Sequence, residues 1–571
     1  MKKKTLTVGI ILLFIGTSII STTAQDTKKS TSQTTSGNWL YVGGSGPGNY
    51  SKIQDAIDNA SDGDTVFVFN GTYYGYVILN KSINLIGEDK NTTIIIGFFA
   101  YTIFIVSDWV NMSGFTIQNG GRLGEGVRID SSYNNFFDNI VDIPNDRIRL
   151  SGDRNIFYDN TIKNTYIYLS GDSNIVSGNS ITNNFYGLYL IDSSDNIILN
   201  NSFFNSGLFI SINTVRNNTV TNNTVNGKPL VYVDDESNLV LDVDAGQIIL
   251  VNCTNITVKN QEIFNTFVGI QIWGSNDCII SSNNISGSYY GIWLYGWNNT
   301  INNGTTADNY CGISLVGGNN TISTNTITNN SDNGIYLSYS DYNNIINNSF
   351  ANNYCSIQLD YGNNFNNIIN NTITNNSNAV VALSGNSNTN ISDNTIKNNE
   401  KGITLVFSYY NNITKNVIAN NNASGIYIRD SYCNNIINNN ITDNNNGIYT
   451  LRSEYNIIKG NNITWNNLSG INLNFSSSNI IYGNNFLKNR QGIYFFSSAN
   501  NSISKNNFLR NKHNTFFENS TNKWNGNYWG RPRILPKLIF GIKTIQNNRT
   551  IPLFDFDWHP AKEPNYIPEI S

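Results

Sequence analysis

The chain repeats itself at a fixed interval. An isoleucine and an asparagine return in the frame I-x-x-N-x-[I/F] about once every 22 residues. From Asn325 to Asn506 the asparagine recurs at a nearly constant step without a miss, at Asn348, Asn371, Asn394, Asn416, Asn439, Asn461 and Asn484. A fixed step of this length is typical of folds in which each repeat forms one coil that packs only against its neighbours. Although the chain has 571 residues, the sequence therefore predicts one elongated solenoid rather than several globular domains.

Each repeat has a second landmark, a Gly-Ile pair followed by alternating polar and apolar residues, as in Gly334-Ile335-Tyr336-Leu337. Alternation is the period of a β-strand, so Ile335 and Leu337 should face one side and Tyr336 the other. Asn, Ser, Gly and Asp fill the intervals, which is turn chemistry. We therefore expect two short strands in each coil, stacked with their equivalents into parallel sheets because one short strand cannot bury an apolar face alone.

The predicted fold is all-β, a single-stranded right-handed parallel β-helix of about 20 coils, since crossovers between parallel strands are nearly always right-handed. The repeating asparagine should form a ladder, because its amide can bond the equivalent amide in the next coil and tolerates the left-handed backbone of a tight corner. We expect Gln261 to take the ladder position in one coil and Gly304 to fill the next without an amide. The coils between Asn218 and Gln261 break the pattern.

The chain begins like an exported protein. Three lysines precede an apolar run, and small residues before Gln25 resemble a signal cleavage site. No later apolar run reaches the roughly 18 residues that a membrane-spanning helix needs. We expect the mature protein to be secreted, extracellular or at the cell surface, or periplasmic if the host has a periplasm.

Five segments are predicted along the chain. A capping-box pattern at Ser51 and apolar spacing at Ile53, Ala56, Ile57 and Ala60 favour a short N-terminal helix that closes the first coil. A tail rich in Trp and Pro favours an irregular C-terminal cap. The segments are a signal peptide (1–24), a disordered linker (25–37), an N-terminal strand and capping helix (38–61), the parallel β-helix with irregular coils near 219–260 (62–512), and the C-terminal cap (513–571).

Composition argues against several kinds of partner. Charged residues are 13% of the chain and the net charge is -4, so we expect no basic surface for nucleic acid or for an anionic membrane. The five cysteines are an odd number and cannot all pair. Cys311 and Cys355 occupy equivalent positions two coils apart, which is too far for a disulfide. We expect them to be small buried side chains.

Several segments resemble one known group of proteins. Residues 41–73, with Tyr-Val-Gly-Gly, Ile-Gln-Asp-Ala-Ile, Asp-Gly-Asp-Thr-Val and Asn-Gly-Thr-Tyr, resemble the start of NosD-like proteins of the pectin-lyase-like β-helix family, as do residues 226–251 and 524–529. The resemblance covers nearly all of the mature chain. It implies a right-handed β-helix of the carbohydrate-binding and sugar-hydrolase type, exported and often on the prokaryotic cell surface. This scaffold hosts lyases, hydrolases, epimerases, adhesins and structural proteins, so it indicates fold more than function.

An aromatic row is predicted on the outward side of one sheet. Aromatic faces beside amides and hydroxyls suit sugar rings and their hydroxyls, although Tyr is also favoured on strand surfaces that bind nothing. The predicted partner is a polysaccharide or cell-surface glycan. The predicted ligand-binding residues are Tyr168, Tyr189, Trp293, Tyr336, Tyr427 and Tyr449, with Tyr494 in the same row and Gln271, Ser314, Gln358, Thr404 and Asn472 between them.

Candidate acid/base groups lie in the N-terminal third. Alignment of the coils places Arg128, Arg149, Tyr168, Tyr189 and Phe209 at one outward position, and Asp153 and Asp172 at one turn position. Carboxylates about 5 Å apart can hold Ca²⁺ or act as an acid/base pair, but the interpretation that we favour is ordinary Asp turns. The candidate catalytic residues are Arg128, Arg149, Asp153, Asp172 and Asp192.

The resemblance to NosD also implies copper delivery. The mature chain has only His513, His559, Met112 and five scattered cysteines, whereas copper prefers clustered soft ligands. We therefore predict no metal site. The favoured function is a non-catalytic exported β-helix that binds carbohydrate or another surface polymer. The alternatives are a polysaccharide lyase, hydrolase or epimerase with its site between Arg128 and Asp172, and an accessory protein for copper-site maturation.

Overall fold

The chain winds into a right-handed parallel β-helix of about 22 coils in the computed structural model, which describes residues 37–98, 101–118, 124–144, 146–182, 186–211, 217–545 and 549–567. The predicted fold class is confirmed, and the predicted count of about 20 coils is close. The predicted signal peptide and nearly all of the predicted linker lie outside the described residues. No helix in the described part of the chain is long and apolar enough to cross a membrane.

A regular coil has three strands, not the two predicted. One coil, for example, contains Asn344–Ile346, Ser349–Ala351 and Cys355–Asp360. The frame I-x-x-N-x-[I/F] spans two of them, because the chain turns a corner at the asparagine. With such short strands on each side of that corner, alternation along the sequence cannot separate the two strands.

The strands form three stacks, numbered by their order within each coil. The first stack contains Trp39–Val42, Thr65–Val68, Asn84–Gly87, Asn111–Ser113, Asn135–Phe137, Ile156–Tyr158, Ile175–Ser177, Ile197–Leu199, Thr219–Thr221, Val240–Leu241, Thr257–Lys259, Ile279–Ser281, Thr300–Asn302, Thr321–Ser323, Asn344–Ile346, Asn367–Ile369, Asn390–Ser392, Asn412–Thr414, Asn435–Ile437, Ile457–Lys459, Ile480–Tyr482, Ser502–Ser504 and Lys523–Asn525. The second stack contains Gly71–Tyr74, Thr93–Ile96, Thr116–Gln118, Ile140–Asp142, Thr161–Lys163, Ser180–Thr182, Ser202–Phe204, Thr224–Val225, Glu262–Phe264, Asn284–Ser286, Thr305–Ala307, Thr326–Thr328, Ser349–Ala351, Thr372–Thr374, Thr395–Lys397, Val417–Ala419, Asn440–Thr442, Asn462–Thr464, Asn485–Leu487 and Asn507–Leu509. The third stack contains Val77–Leu79, Ile103–Ile105, Val127–Ile129, Arg147–Leu150, Tyr166–Leu169, Leu188–Ile191, Leu208–Ser211, Lys228–Asp234, Gln247–Val251, Val268–Trp273, Tyr290–Tyr295, Cys311–Val316, Asn333–Ser338, Cys355–Asp360, Ala379–Ser384, Lys401–Val406, Ser424–Arg429, Asn446–Leu451, Ser469–Asn474, Gln491–Phe496, His513–Glu518 and Lys537–Thr544, and the last strand, Thr550–Asp557, pairs back on Lys537–Thr544.

The core is a column of inward apolar side chains from all three stacks. Equivalent residues lie in register, as Ile345 does with Ile368, and both are fully buried. Burying one such side chain contributes roughly 2 kcal/mol. All five cysteines are free thiols, and Cys311 and Cys355 are buried two coils apart, as predicted.

The asparagine ladder is confirmed. The Nδ2 of Asn416 donates to Oδ1 of Asn439 at 3.0 Å and to the carbonyl of Ile391 at 2.8 Å, and its Oδ1 accepts from Nδ2 of Asn394 at 3.0 Å. The ladder residue itself does not take the left-handed backbone, contrary to our expectation. The residue before it does, as at Lys415 with φ 57°.

Two exceptions to the ladder behave as predicted. Gln261 holds the ladder position, since its N–H donates to Oδ1 of Asn283 at 3.0 Å. Gly304 offers only its N–H, which donates to Oδ1 of Asn325 at 2.9 Å. The column therefore continues through the backbone where the amide is missing.

Two more asparagine columns and a serine column run beside the ladder, and the repeat frame did not predict them. One column contains Asn411, Asn434, Asn456, Asn479 and Asn501, and the other contains Asn399, Asn421, Asn444, Asn466 and Asn489. In the serine column the N–H of Ser408 donates to Oγ of Ser431 at 3.0 Å. Every corner of the coil is thus closed by a buried neutral side chain.

The irregular stretch between Asn218 and Gln261 joins two segments of the rod. Thr224–Val225 turns through Asn226 and Gly227, both with positive φ, and pairs antiparallel with Lys228–Asp234. The strand Gln247–Val251 that follows is buried on both faces. Its Ile248 and Leu250 belong to the core of the C-terminal segment, and its Ile249 and Val251 to that of the N-terminal segment. The second segment therefore packs its outward sheet face against the first.

Glutamine side chains complete this junction. The amide of Gln247 accepts from the N–H of Leu208 at 2.9 Å and donates to its carbonyl at 2.6 Å. The amide of Gln271 does the same for Ile210, at 3.1 and 2.5 Å. These two side chains satisfy the edge of Leu208–Ser211 where the next backbone strand would otherwise pair.

Both ends of the rod are capped. The helix Ile53–Asn59 buries Ile53, Ala56 and Ile57, as predicted, but its N-cap residue is Lys52 and no side chain caps it. The capping-box prediction is therefore wrong, and Gln54 instead bonds the backbone of Ile78.

The C-terminal cap is a regular hairpin rather than an irregular lid. The strands Lys537–Thr544 and Thr550–Asp557 pair antiparallel along their whole length. The buried carboxylate of Asp557 accepts from N and Nδ2 of Asn527 at 3.0 and 3.1 Å, and from Nε1 of Trp529 at 3.1 Å. Asp557 is thus the acceptor on which the asparagine ladder ends.

Replacing Asn416 with Ala should strongly destabilise the rod. In a fully buried corner it removes the acceptor of the Asn394 N–H, one of the two acceptors of Asn394 Nδ2, and the side-chain donor to the carbonyl of Ile391. We expect a loss of about 3 kcal/mol, measured by urea denaturation. The control is Asn422→Ala at an exposed site, expected to change the free energy of unfolding by less than about 0.5 kcal/mol. Equal effects of the two changes would contradict the structural role of the ladder.

Candidate functional site

An ionic cluster lies on the outward side of the third stack, near its N-terminal end. The neighbouring strands Val127–Ile129 and Arg147–Leu150 bring Arg128 and Arg149 side by side. Glu125, almost fully buried, accepts from Arg128 at 3.1 Å, Arg147 at 2.6 Å and Arg149 at 3.1 Å. Burial opposes ionisation of Glu125, but the hydrogen bonds and charges of Arg147 and Arg149 outweigh it and lower its pKa. We call these four residues, with Asp146, the Arg–Glu cluster.

Asp146 is the unusual member of the cluster. Burial, together with the negative charge of Glu125, raises its pKa to about 6, against partial compensation from Arg147. Its Oδ2 is buried and has no hydrogen-bond partner in the described part of the chain, and the same holds for Nε of Arg147 and of Arg149. The cluster thus holds a carboxyl group that titrates close to neutral pH beside incompletely bonded guanidinium groups.

The structure separates the predicted catalytic residues. Arg128 and Arg149 belong to the cluster, whereas Asp153 and Asp172 lie at a corner where each carboxylate accepts a backbone N–H from the next coil, at 2.8 and 2.7 Å. That bonding is what an Asp turn requires and leaves the two carboxylates as parts of the scaffold. Asp192 is exposed at the end of Leu188–Ile191, with φ 43°.

Glu125 and Asp146 were missed in the sequence. One repeat length separates them, and both stand in the same position of adjacent coils, just before the strand whose first core residue is Val127 or Ile148. The pair precedes the strand and so lies outside the outward positions between core residues. The sequence does contain a signal for this pair, because two acidic residues stand one repeat length apart at equivalent positions.

Aromatic side chains from both segments meet at the junction. Tyr186 packs on Phe267 with ring centres 4.4 Å apart, and Phe209 packs on Phe267 at 5.1 Å and on Trp293 at 5.6 Å. We call this group the aromatic corner; it also contains Tyr189, Tyr289 and Tyr290. The predicted row of outward aromatic residues is therefore interrupted, because the third stack of the first segment ends at Leu208–Ser211.

Three residues that were predicted to face outward are buried in the structure. Gln271 is fully buried and its amide is bonded to Ile210, so it does not face solvent. Phe209 and Ser314 are also buried. The other segment covers Gln271 and Phe209 at the junction, which a sequence alignment of coils cannot show. Ser314 lies between the larger side chains of Trp293 and Tyr336 in the adjacent strands.

A recess adjoins the aromatic corner. Phe267, Tyr289 and Tyr310 form a stacked column, with ring centres 5.3 and 4.4 Å apart, and Tyr310 at its end is 43% exposed. In the next coil Asp332 takes the place of a ring. The open space has a volume of about 340 Å³ and is lined by Tyr289, Tyr290, Tyr310, Cys311, Asp332, Asn333, Tyr336 and Gln358.

Polar groups face this recess. Burial raises the pKa of Asp332, although the hydroxyl of Tyr310 donates to its carboxylate and acts in the opposite direction. Oδ1 of Asn333 is buried and has no hydrogen-bond partner among the described residues. The amide of Gln358 donates to Asp360 at 2.5 Å. The recess therefore combines an aromatic wall with carboxylate and amide groups.

The remaining predicted aromatic residues differ in how open their rings are. Tyr168 lies beside the Arg–Glu cluster, with the guanidinium of Arg147 at 4.9 Å from its ring centre. Tyr427 and Tyr449 stack on each other at 5.5 Å, with their planes 10° apart. A ring that faces its neighbour has less free surface for a ligand.

Two protein families match this sequence. The family described as "Right handed beta helix region" matches residues 101–243 and 246–390, together about half of the chain. The family described as "Periplasmic copper-binding protein (NosD)" matches residues 377–534. No curated protein matches the chain.

Solved structures that match part of this chain include an alginate epimerase, an alginate lyase and a glucanase. A mutant of the periplasmic alginate epimerase AlgG is 13% identical, with 56% of this chain and 74% of that chain covered and a TM-score of 0.26. The alginate lyase AlyF-OU02 is 12% identical, with 75% and 81% covered and a TM-score of 0.25. The α-1,3-glucanase of Streptomyces thermodiastaticus is 16% identical, with 63% and 61% covered and a TM-score of 0.21. Likenesses this low say nothing about activity.

The residues in the NosD-matching segment do not fit copper. That segment has one cysteine, Cys433, one histidine, His513, and no methionine. The two lie about four coils apart, which is roughly 19 Å at the spacing of β-strands. Across the described residues, no three His, Cys, Asp or Glu side chains come together as a metal site. Copper requires several soft or imidazole ligands within about 2 Å of the ion, so we derive no copper chemistry.

Stability should depend on pH through Asp146. Its pKa of about 6 in the folded chain exceeds the ordinary 3.8, so the unfolded chain releases this proton first as pH rises. The contribution of Asp146 to stability therefore falls between about pH 4 and pH 6 and is level above that. Asp146→Asn should remove this fall, so its free energy of unfolding relative to the parent should increase from pH 4 to pH 7 in urea denaturation. A pH-independent difference would contradict the assignment.

Proposed function

Because the chain belongs to the right-handed β-helix family, a fold that serves many unrelated functions, we propose a function from its own side chains: it binds carbohydrate at the aromatic corner and the adjoining recess. The observation that carries this proposal is the exposed ring of Tyr310, which ends a stacked column beside a recess holding Asp332, Tyr336 and Gln358.

The chemistry of a sugar matches this arrangement. A pyranose has an apolar face of C–H groups that stacks on an aromatic ring, and a rim of hydroxyls that bond carboxylates and amides. Tyr310 supplies the ring, and the side chains of Asp332 and Gln358 supply acceptors and a donor. The recess is open along the rod, which suits a segment of a long chain better than a free monosaccharide.

A polymer could extend from the recess toward the N-terminal segment. Trp293 and Tyr189 lie in the aromatic corner, and Tyr168 follows toward the Arg–Glu cluster. We therefore propose a polysaccharide or cell-surface glycan as the partner. The signal-like N-terminus supports a location outside the cytoplasm, where such a polymer would be met.

Removing the ring at the recess should weaken retention on the polysaccharide. The double change Tyr310→Ala with Tyr336→Ala takes away the stacking surface, and we expect a loss of about tenfold or more in affinity. The measurement is affinity electrophoresis or pull-down across a panel of plant, bacterial and algal polysaccharides.

The matched control is Tyr427→Ala with Tyr449→Ala. These two rings occupy the same outward row but stack on each other away from the recess, so their removal should cost much less affinity. Failure of the unaltered chain to bind any polymer, or equal losses in both double variants, would count against binding at the recess.

A second candidate is an enzyme that acts on an acidic polysaccharide. Its support is the Asp146 carboxyl, whose pKa of about 6 suits proton transfer at neutral pH. About a quarter to a third of each side chain of Arg128, Arg147 and Arg149 is exposed, and arginines bind carboxylates through paired hydrogen bonds. In a lyase or epimerase a base removes the proton from the carbon beside the sugar carboxylate, and we propose Asp146 for this role.

Asp146→Asn should abolish such an activity and leave retention on the polymer intact. Cleavage is followed by ultraviolet absorbance of unsaturated products, and epimerisation by uptake of deuterium from solvent. Asp159→Asn, at an exposed corner of the same region, is the control and should keep full activity. Binding without any turnover in the unaltered chain would leave the non-catalytic function standing and exclude the enzyme.

A further inference from the structure

The outer face of the C-terminal hairpin is apolar. In the antiparallel pair Lys537–Thr544 and Thr550–Asp557, Leu538 lies opposite Phe556 and Phe540 opposite Phe554. These four side chains are exposed, whereas Ile539 and Asp557, which alternate with them, are buried. Trp558 stacks on Phe556 with ring centres 5.0 Å apart and is 62% exposed. Large apolar groups gathered on one face of a sheet mark a contact surface.

The turn before the hairpin extends this face. Ile534 and Leu535 are 88% and 76% exposed, the two most exposed aliphatic side chains of the described cap. Pro532 and Pro536 flank them and restrict the backbone. Because Lys537 pairs with Asp557, this turn lies at the same end of the hairpin as Trp558. The cap therefore presents an apolar tip and an apolar face together.

Cations without acidic partners border the tip. Arg531, Arg533 and Lys537 have no acidic group within 4 Å among the described residues, and Nε of Arg533 is buried without a hydrogen-bond partner. Burial and the charges of the two arginines lower the pKa of Lys537. Positive charge is thus concentrated here without a counter-ion from the described chain.

The part of the cap from Lys523 to Glu563 is basic, although the chain is not. Residues 523–563 contain seven Lys and Arg but only three Asp and Glu. Asp555 and Asp557 are two of those three acids, and both face inward and bond Asn522, Trp524, Asn527 and Trp529. The net charge of -4 predicted no basic surface, but a net charge averages over the whole chain and does not register a local excess.

We propose that this cap docks the rod, end on, onto the surface of an anionic lipid bilayer. Ile534, Leu535 and Trp558 would enter the boundary between head groups and acyl chains, where aliphatic and indole side chains are favoured. Arg531, Arg533 and Lys537 would contact the phosphates. The hairpin lies on the membrane and does not span it.

The positive charge of the cap favours an anionic bilayer over the other partners that an apolar face could bind. A second copy of the chain would bring an equally basic cap against this one, and like charges would repel. A soluble polyanion would satisfy the cations but leave the aliphatic tip in water. An anionic bilayer has both a negative surface and an apolar interior. The cap is also nine third-stack strands, about 43 Å, beyond the strand of Tyr336, so docking leaves the recess free.

The test uses the full chain with sedimented vesicles of phosphatidylcholine alone, or with a third of phosphatidylglycerol. We expect binding to the anionic vesicles, at least about tenfold weaker binding to neutral ones, and release at high salt. Ile534→Asp with Leu535→Asp should reduce binding about tenfold or more without changing the thermal unfolding temperature, because both positions are exposed.

Val240→Asp with Val243→Asp is the matched control, since these are exposed apolar residues at the junction, and it should bind normally. Arg531→Glu with Arg533→Glu should remove the preference for anionic vesicles. The proposal is overturned if the parent chain stays in the supernatant with both vesicle types at low salt, or if the Ile534 and Leu535 variant binds as well as the parent. A dimer in analytical ultracentrifugation that the same variant abolishes would assign the face to a second copy instead.

Discussion

The stacking of neutral amides from coil to coil is the interaction on which the rest of this rod depends. Each ladder asparagine has its donors and acceptors bonded to the adjacent coils in a fully buried corner, as Asn416 shows. Because an unbonded amide in that corner is costly, every coil must return the chain to the same place one strand spacing later. The nearly constant step of the repeat is the length of chain that satisfies this condition with three strands.

The need to bond equivalent side chains from coil to coil also limits which residue types can occupy the corners of the coils and the ends of the rod. A charge placed on each coil would meet a like charge about 5 Å away, so amides and hydroxyls are preferred. The column also needs a terminal acceptor, and a carboxylate can fill that role because it needs no acceptor of its own. At the C-terminus the carboxylate of Asp557 takes that place, and Asp555 does the same for the neighbouring column through the N–H of Asn522. The cap is thus part of the hydrogen-bonding scheme, not only a cover for the apolar core.

Features that repeat were predictable from this sequence, and features that depend on contacts between distant coils were not. The ladder, the core side of each strand and the unpaired Cys311 and Cys355 followed from spacing alone. The antiparallel turn at Asn226 and the burial of Gln271 did not, because they depend on residues in distant coils that share no repeat register. For the candidate site, alignment of the coils predicted that Arg128 lies beside Arg149. It did not predict Glu125, whose carboxylate forms ion pairs with both arginines. The recess at Tyr310 lies where the stacked rings of Tyr289 and Tyr310 are followed by Asp332 in the next coil.

At a few places in the described part of this fold, buried polar groups lack the hydrogen bonds that the regular coils provide. Within the regular coils the corner amides are almost all satisfied by their equivalents. Asp146, Asn333 and Arg533 each have a buried polar atom without a partner among the described residues, and they lie in the ionic cluster, the recess and the basic cap. Some residues of the regular coils, such as Thr404 and Thr450, share this property, so an unbonded atom alone does not identify a site. The three places differ because other side chains converge there: arginines on Glu125, rings beside Asp332, and exposed aliphatic groups beside Arg533. In a rod of equivalent coils, a side chain that repeats is present in every coil. A distinct site therefore requires residues that depart from the repeat.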